Sequence, residues 1–136
     1  ARSLQLLGSE RAWVVHGADG IDELSTTGHT KVAEVRDGTI HTFYVHPGQF
    51  GLPKASPDDF TGGDAVENAG IITRILAGDR GPARDVVLLN AGASLFVAGA
   101  AASVRAGIEA AGAAIDSGAA RTTLERMVRL SQEVPA

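Results

Sequence analysis

Two adjacent carboxylates, Asp22 and Glu23, follow a glycine-rich turn and are the residues of this sequence best suited to chemistry. The apolar run at residues 12–15 predicts a buried strand before them, because it is short and contains β-branched residues. Gly17 and Gly20 then allow a sharp turn. Open α/β folds bind ligands in loops at the carboxyl ends of strands. Paired carboxylates in such a loop favour a hard cation such as Mg²⁺, which takes oxygen ligands and often also holds a substrate phosphate.

The spacing of Asp22 and Glu23 has two other interpretations. The pair could belong to a solvated acidic loop without a ligand. It could also lie in the first turn of a helix, where the positive end of the helix dipole favours acidic side chains. The spacing alone leaves all three interpretations open.

The stretch around this pair resembles a known family motif. Residues 16–25 read His-Gly-Ala-Asp-Gly-Ile-Asp-Glu-Leu-Ser and are similar to the motif His-Gly-x-Asp-Gly-x-Asp-Glu-Leu-Ser/Thr of anthranilate phosphoribosyltransferases. Further blocks follow in the order of that family: Phe50-Gly51-Leu52, Gly62-Gly63-Asp64-Ala65 with Glu67-Asn68-Ala69, Gly81-Pro82-Ala83-Arg84-Asp85, Leu89-Asn90-Ala91 and Ala114-Ile115-Asp116-Ser117-Gly118-Ala119-Ala120. The resemblance covers nearly the whole chain but only the C-terminal portion of the family's length.

The resemblance implies a function in tryptophan biosynthesis. Enzymes of this family transfer phosphoribose from phosphoribosyl diphosphate to the amine of anthranilate, giving phosphoribosylanthranilate and diphosphate. By this resemblance, Asp22 and Glu23 hold Mg²⁺, while His16, Gly17 and Asp19 shape the loop.

The resemblance also implies a fold and a domain organisation. The expected fold class is α/β, as the C-terminal part of a nucleoside-phosphorylase-like and phosphoribosyltransferase-like domain in which helices cover a mixed sheet. Residues 1–136 then form a single partial domain, without the N-terminal helical part and the diphosphate loop. No catalytic residue is assigned within the chain, which alone should not turn over substrate. The complete enzyme is expected to be a homodimer.

Composition restricts the alternatives. The 12 basic and 16 acidic residues give a net charge of −4, which argues against a nucleic-acid-binding surface. A non-catalytic, nucleic-acid-binding relative would show a basic groove and would lack the acidic pair. A pyrimidine nucleoside phosphorylase, the other alternative, shares the architecture but not the motifs. The absence of cysteine excludes disulfides and thiolate zinc sites. We expect a cytoplasmic protein with no membrane partner, because neither a signal peptide nor a spanning segment is visible.

Local patterns predict the elements that position the loop. A helix is expected within residues 1–8, and strands are expected at 30–36 and 39–45. Asp37-Gly38 between them predicts a type I′ turn with positive φ at both central residues. Four helices are expected at residues 65–77, 82–102, 103–116 and 122–133.

Two further polar groups could contact substrate or be structural. Asn90 interrupts an apolar helix, so it either ties that helix to a loop, which is favoured, or faces the substrate cleft. The stretch Thr61-Gly62-Gly63-Asp64 resembles a diphosphate-binding loop. Its residue types fit a structural role better, because Gly63 suits tight packing and Asp64 suits an N-cap.

Overall fold

The computed structural model describes residues 1–133, which contain three strands and five α-helices. The strands are β1 (Arg11–Gly17), β2 (Thr30–Arg36) and β3 (Thr39–Val45). The helices are α1 (Arg2–Leu6), α2 (Ala65–Leu76), α3 (Pro82–Val97), α4 (Val104–Asp116) and α5 (Ala119–Gln132). Two short 3₁₀ helices, Pro47–Phe50 and Pro57–Phe60, lie between β3 and α2. The last three residues of the expected domain lie outside the described range.

The strands form one sheet in the order β1-β2-β3, and both strand pairs are antiparallel. In one row across the sheet, Val15 pairs with Val32, which pairs with Phe43. Helices and sheet together confirm the α/β class. The mixed sheet expected for the family is not found within residues 1–133, where both strand pairs are antiparallel. A parallel pair needs a crossover connection. Here each strand instead turns back and pairs with the strand before it.

The hairpin between β2 and β3 has the predicted turn. Asp37 has φ 49° and Gly38 has φ 71°, so both central residues lie in the left-handed region. Asp and Gly are among the few residues that adopt this region readily. The turn sets the register in which Arg36 pairs with Thr39.

The hydrophobic core lies between the sheet and helices α3 and α4. Buried members include Val32 from β2, Leu89 and Ala93 from α3, and Ile108 from α4. Trp13 of β1 joins the layers, because its ring makes edge-to-face contacts with Phe43 and Phe96 at centroid distances of 5.6 Å each.

Helices α3 and α4 pack closely at two glycines. A Cβ at Gly92 would lie 2.6 Å from the backbone nitrogen of Ile108, and a Cβ at Gly107 would overlap the carbonyl oxygen of Gly92. Arg84 of α3, 2% exposed, also forms an ion pair with Asp116 of α4 at 2.6 Å. The two helices therefore pack together as one unit.

The predicted helix at residues 82–102 is too long, because α3 ends at Val97. Gly99 has φ 74°, and the amides of Gly99 and Ala100 donate to the carbonyls of Phe96 and Leu95 at 3.1 and 2.9 Å. This pair of hydrogen bonds is a Schellman motif, which closes a helix at a left-handed glycine.

The spacing of apolar residues predicts that Ile72 faces inward in α2 and that Leu124, Met127 and Val128 are packed in α5. Both predictions are partly wrong. In α2, Ile75 is buried and Ile71 half-buried, whereas Ile72, expected inside, is exposed. In α5, Leu124 is half-buried, but Met127 and Val128 are exposed. Spacing identifies an apolar stripe, but the neighbouring elements decide which part of the stripe is covered.

No helix of residues 1–133 has the length and apolar character needed to cross a membrane.

Candidate functional site

The loop that carries the acidic pair occupies residues 18–29, between β1 and β2. It is closed at its base, because Gly17 pairs with Thr30 and the amide of Ala18 donates to the carbonyl of His29 at 3.0 Å. Asp22 and Glu23 therefore follow the carboxyl end of β1, where the sequence places them. We refer to this loop together with its closing pair, residues 17–30, as the acidic loop.

The first half of the acidic loop is a tight turn. The amide of Gly17 donates to the carbonyl of Ile21 at 2.9 Å, and the amide of Gly20 donates to the carbonyl of Gly17 at 3.0 Å. Gly17 is buried, and a Cβ there would overlap Oδ1 of Asp19 and lie 2.6 Å from Cγ2 of Ile21. A larger residue at position 17 would therefore displace the turn.

Asp19 joins the two halves of the acidic loop. Its Oδ2 accepts hydrogen bonds from Oγ of Ser25 at 2.7 Å and from Oγ1 of Thr27 at 2.6 Å. Burial alone would raise the pKa of the Asp19 carboxyl. The hydrogen bonds from Thr27, Ser25 and the amide of Ile21 outweigh burial and lower this pKa below its usual value. Asp19 is thus an ionised anchor within the loop.

Asn90 holds the second half of the acidic loop against α3. Its Oδ1 accepts from the amide of Leu24 at 2.9 Å, and its Nδ2 donates to the carbonyl of Leu24 at 2.9 Å. The same Nδ2 donates to the carbonyl of Val86 at 3.0 Å. The favoured interpretation, in which Asn90 ties the helix to a loop, is confirmed. A further tie joins the amide of Ala55 to the carbonyl of Thr26 at 2.9 Å.

Asp22 and Glu23 are the exposed tip of this anchored loop. Within residues 1–133, neither carboxylate has a hydrogen-bond or ion-pair partner, and no cluster of three or more His, Cys, Asp or Glu side chains forms a ready-made metal site. Mg²⁺ is commonly held by one or two carboxylates together with water and a substrate phosphate. The pair therefore fits a cation that a substrate helps to hold, and it does not fit a closed structural metal site.

His16 is exposed at the end of β1, and its role in shaping the loop stays a prediction. The other histidines of the described chain have ordinary surroundings. The ring of His29 contacts Tyr44 edge to face at 5.5 Å, and Nδ1 of His46 accepts from the amide of Gly48 at 3.2 Å. His41 and His46 are both exposed.

The glycine pair before α2 is structural. Oδ1 of Asp64 accepts from the amides of Val66 and Glu67 at 2.9 Å each, and Oε2 of Glu67 accepts from the amide of Asp64 at 3.1 Å. Asn68 bonds both the amide and the carbonyl of Gly63. Side chains of the protein thus occupy the amides that a phosphate would need, so the N-cap interpretation of this stretch is confirmed.

A cleft of about 370 Å³ lies beside the acidic loop, between β1 and α3. Its lining is mostly apolar and includes residues from both elements and from the loop: Arg11, Trp13, Val15, Leu24, Asn90, Ala93, Ser94, Val97 and Ala98. Arg11 stacks on Phe96 with its guanidinium carbon 3.7 Å from the ring centroid and donates to the carbonyl of that residue at 2.8 Å. These contacts hold the wall of the cleft in place.

Sequence reasoning missed the hydroxyl groups that fix the loop. Ser25 is the last residue of the family motif and Thr27 lies just beyond it, but the motif does not show that both hydroxyls donate to Asp19. The available signal was the hydroxyl-rich run Ser25-Thr26-Thr27 a few residues after a loop aspartate, because such side chains satisfy loop carboxylates and amides. The ion pair of buried Arg84 with exposed Asp116 was missed as well, although both residues lie in blocks of the family.

Comparison with known proteins identifies the family. The model of the glycosyl transferase family, a/b domain, matches residues 1–121, so the chain belongs to this family. The chain is similar to the anthranilate phosphoribosyltransferase of Azorhizobium caulinodans, with 49% identity over 132 residues that cover 97% of this chain and 38% of the relative. The chain therefore spans well under half the length of the curated relatives it matches.

Solved structures agree with this assignment. The crystal structure of anthranilate phosphoribosyltransferase from Thermus thermophilus matches with a TM-score of 0.83 and 38% identity, covering 93% of this chain and 37% of that protein. The enzyme from Saccharomyces cerevisiae in complex with PRPP and Mg matches with a TM-score of 0.85 and 25% identity, covering 97% of this chain and 38% of that protein. The expected phosphoribosyltransferase-like fold is confirmed.

Proposed function

We propose that this chain is part of an anthranilate phosphoribosyltransferase, a glycosyltransferase of tryptophan biosynthesis. In this reaction, the amine nitrogen of anthranilate forms a bond to C1 of the ribose while the bond from C1 to the diphosphate oxygen breaks. The amine loses a proton, and the products are phosphoribosylanthranilate and diphosphate. The substrates are phosphoribosyl diphosphate and anthranilate.

The observation that carries this proposal is the free pair of carboxylates on a loop that is otherwise anchored. Asp22 and Glu23 have no partner within residues 1–133, whereas Gly17, Asp19 and Leu24 around them are hydrogen-bonded to the rest of the loop or to α3. The similarity to anthranilate phosphoribosyltransferases extends across this loop. A yeast enzyme of that name, similar in fold, has been solved with PRPP and Mg.

Asp22 and Glu23 would hold Mg²⁺ together with the diphosphate of the substrate. When bound, the cation neutralises the negative charge that develops on the leaving diphosphate. The chain has a net charge of −4, so two carboxylates without a cation would repel a diphosphate. Gly17 would keep the turn narrow, and His16 would border it. Through the cation, the acidic pair would help to recruit and orient the leaving group.

The partners of the chain are part of the same proposal. Residues 1–136 would form the C-terminal part of the catalytic domain, and the N-terminal portion of the enzyme would supply the anthranilate site and most of the diphosphate contacts. The complete enzyme would be a cytoplasmic homodimer. Neither alternative function, a nucleic-acid-binding relative or a pyrimidine nucleoside phosphorylase, is favoured by the relatives.

The test is the Mg²⁺ dependence of the protein that carries this chain at its full natural length. The double variant Asp22→Asn with Glu23→Gln keeps the shape of both side chains and removes both charges. We expect kcat to fall at least about 100-fold at limiting Mg²⁺, because a lost pair of ligands weakens metal binding and catalysis. The thermal midpoint should stay nearly unchanged, since both side chains are exposed and unpaired in the described chain.

The matched control is Asp37→Asn, at the exposed turn of the β2–β3 hairpin. Asp37 has φ 49°, which asparagine also adopts readily, so the fold should tolerate the change. Its Mg²⁺ dependence should equal that of the unmodified protein. If the double variant Asp22→Asn with Glu23→Gln keeps the kinetics of the unmodified protein at limiting Mg²⁺, the metal assignment is refuted.

A further inference from the structure

We infer that Asp19 is a positioning residue for the acidic pair: it ties the two halves of the acidic loop together so that Asp22 and Glu23 face a divalent cation with little freedom to move. This inference rests on the proposed function, in which that pair holds Mg²⁺. Asp19 would not need to be a ligand of the cation, because its Oδ2 already accepts hydrogen bonds within the loop. It acts through the hydroxyls of Ser25 and Thr27.

The hydrogen bonds of the acidic loop leave a short free segment. On one side, the carbonyl of Ile21 accepts from the amide of Gly17 at 2.9 Å. On the other side, Leu24 is held at both its amide and its carbonyl by Asn90. Between these two fixed points lie only Asp22 and Glu23. The positions of their carboxylates therefore depend on the distance between the two fixed points.

Asp19 is the side chain that sets this distance from within the loop. It belongs to the turn of residues 17–21, yet both of its short hydrogen bonds come from the other half, from Ser25 at 2.7 Å and Thr27 at 2.6 Å. Ser25 is itself fixed, because its amide donates to Oγ1 of Thr30 at 2.9 Å. An ionised acceptor strengthens both bonds, and the lowered pKa of Asp19 agrees with that state.

The other contacts of the loop cannot replace this link. The pairing of Gly17 with Thr30 closes the base of the loop, and Asn90 fixes the second half to α3. Without Asp19, the turn of residues 17–21 would be joined to the second half only through the free segment and the base. Groups that orient metal ligands typically contribute about 10- to 100-fold to metal affinity.

The test compares Asp19→Ala with Asp37→Asn in the protein that carries this chain at its full natural length. The probe is Mn²⁺ with inorganic diphosphate, followed by electron paramagnetic resonance, so the readout does not require turnover. We expect Asp19→Ala to weaken Mn²⁺ binding about 10- to 100-fold. Amide hydrogen exchange at residues 20–24, measured without metal, should become faster. KM for anthranilate should not change, and Asp37→Asn should leave all three quantities unchanged.

A second variant shows whether Asp19 acts through the hydroxyls. Thr27→Val removes one donor to Asp19 and keeps the branched shape. We expect it to weaken Mn²⁺ binding by a smaller factor than Asp19→Ala, and the two changes together should be clearly less than multiplicative, since they break one network. Multiplicative effects would overturn the proposed route through Thr27. If Asp19→Ala lowers the thermal midpoint too far for binding measurements, Thr27→Val alone must still weaken Mn²⁺ binding and speed exchange, or the inference fails.

Mn²⁺ binding by the acidic-pair variant distinguishes failure of the inference about Asp19 from failure of the proposed function. If Asp22→Asn with Glu23→Gln weakens Mn²⁺ binding and Asp19→Ala does not, the inference about Asp19 is wrong and the proposed function stands. If the acidic-pair variant binds Mn²⁺ as the unmodified protein does, the metal assignment in the proposed function is wrong, and the role of Asp19 falls with it.

Discussion

At the scale of single residues, the acidic loop separates side chains that hold structure from side chains that are free to bind. Asp19 and Asp22 lie three positions apart and have the same chemical group. Both side chains are exposed, but Asp19 accepts two short hydrogen bonds from the loop, whereas Asp22 has no partner in the described chain. Residue type alone does not distinguish the two. Their hydrogen-bonding partners do, and those partners come from the other half of the loop.

Part of the site could therefore be predicted from sequence, and part could not. Asp22 and Glu23 were identified because they directly follow a predicted strand and a glycine turn. The tie from Asn90 was expected, because a buried amide in an apolar helix needs a partner. Its actual partner, Leu24, lies far away along the chain, and no spacing pattern connects the two residues. The roles of Ser25 and Thr27 depend in the same way on how the loop folds back.

Asp85 offers a test of burial at the residue scale. It lies in the first turn of α3, where burial raises the pKa of its carboxyl and the nearby charges of Arg84 and Arg80 offset this only in part. Because its pKa in the folded state exceeds the ordinary value of 3.8, Asp85 favours folding fully below that pH and loses this contribution as pH rises through the folded-state pKa. We therefore expect Asp85→Asn to raise the thermal midpoint at pH 7 of the protein that carries this chain at its full natural length.

The pH dependence of this difference in thermal midpoint tests whether burial of the Asp85 carboxylate causes it. Well below pH 3.8 the Asp85 carboxyl is neutral in the folded and the unfolded state, so the midpoints of Asp85→Asn and of the unmodified protein should converge. The exposed control Asp37→Asn should show no such gain at pH 7. A midpoint of Asp85→Asn that is lower at pH 7, or a gain that persists in acid, would show that burial of this carboxylate does not limit stability.

At the scale of elements, the sequence predicted what neighbouring residues determine. The Asp37-Gly38 turn and the cap of α2 by Asp64 depend on contacts a few residues apart, and both were expected. The end of α3 is also determined by neighbouring residues, through the Schellman motif at Gly99. It was not predicted, because the apolar composition continues past this glycine. The buried face of α2 was misjudged because it depends on which distant element covers it. Non-local packing thus accounts for most of the errors.

The contact of α3 with α4 allows a prediction with an internal control. Gly107 and Gly112 both lie in α4, but a Cβ at Gly107 would overlap the carbonyl oxygen of Gly92, whereas the atoms nearest a Cβ at Gly112 are 3.9 and 4.0 Å away. We expect Gly107→Ala to destabilise the protein by about 1–3 kcal/mol, since overpacking forces the helices apart. Gly112→Ala should be neutral or stabilising by up to about 1 kcal/mol, because alanine favours helix.

Urea unfolding of both variants, made in the protein that carries this chain at its full natural length, measures these free energies. Each is compared with the unmodified protein under one set of conditions, and the m-values should agree if the transition stays two-state. Equal free energies of unfolding for Gly107→Ala and Gly112→Ala would mean that α3 and α4 can separate without cost. Their close packing would then not be a source of stability.

At the scale of the whole molecule, several apolar surfaces of the described chain are uncovered. β1 lies at the edge of the sheet, where Val14 is 42% exposed, and the cleft between β1 and α3 is mostly apolar. Leu7, which directly follows α1, is 83% exposed. Large exposed apolar patches usually mark surfaces that contact other protein. The relatives contain much more sequence than this chain, which spans 38% of the Azorhizobium caulinodans enzyme.

The last prediction is that these surfaces are covered by the remainder of the enzyme, and that activity needs both parts. The 136-residue chain, expressed alone, should associate into soluble aggregates or misfold and should not form phosphoribosylanthranilate, because exposed apolar surface favours association.

A chimera that places this chain behind the preceding part of the Azorhizobium caulinodans enzyme should be monodisperse and active, since the two chains share 49% identity over the region being exchanged. The same chimera with Asp22→Asn and Glu23→Gln should be equally monodisperse but inactive at limiting Mg²⁺, which separates assembly from chemistry. Size-exclusion chromatography and turnover of anthranilate measure the two properties. Clear turnover by the 136-residue chain alone would show that its site is complete without the rest of the enzyme, and the domain organisation proposed for residues 1–136 would be wrong.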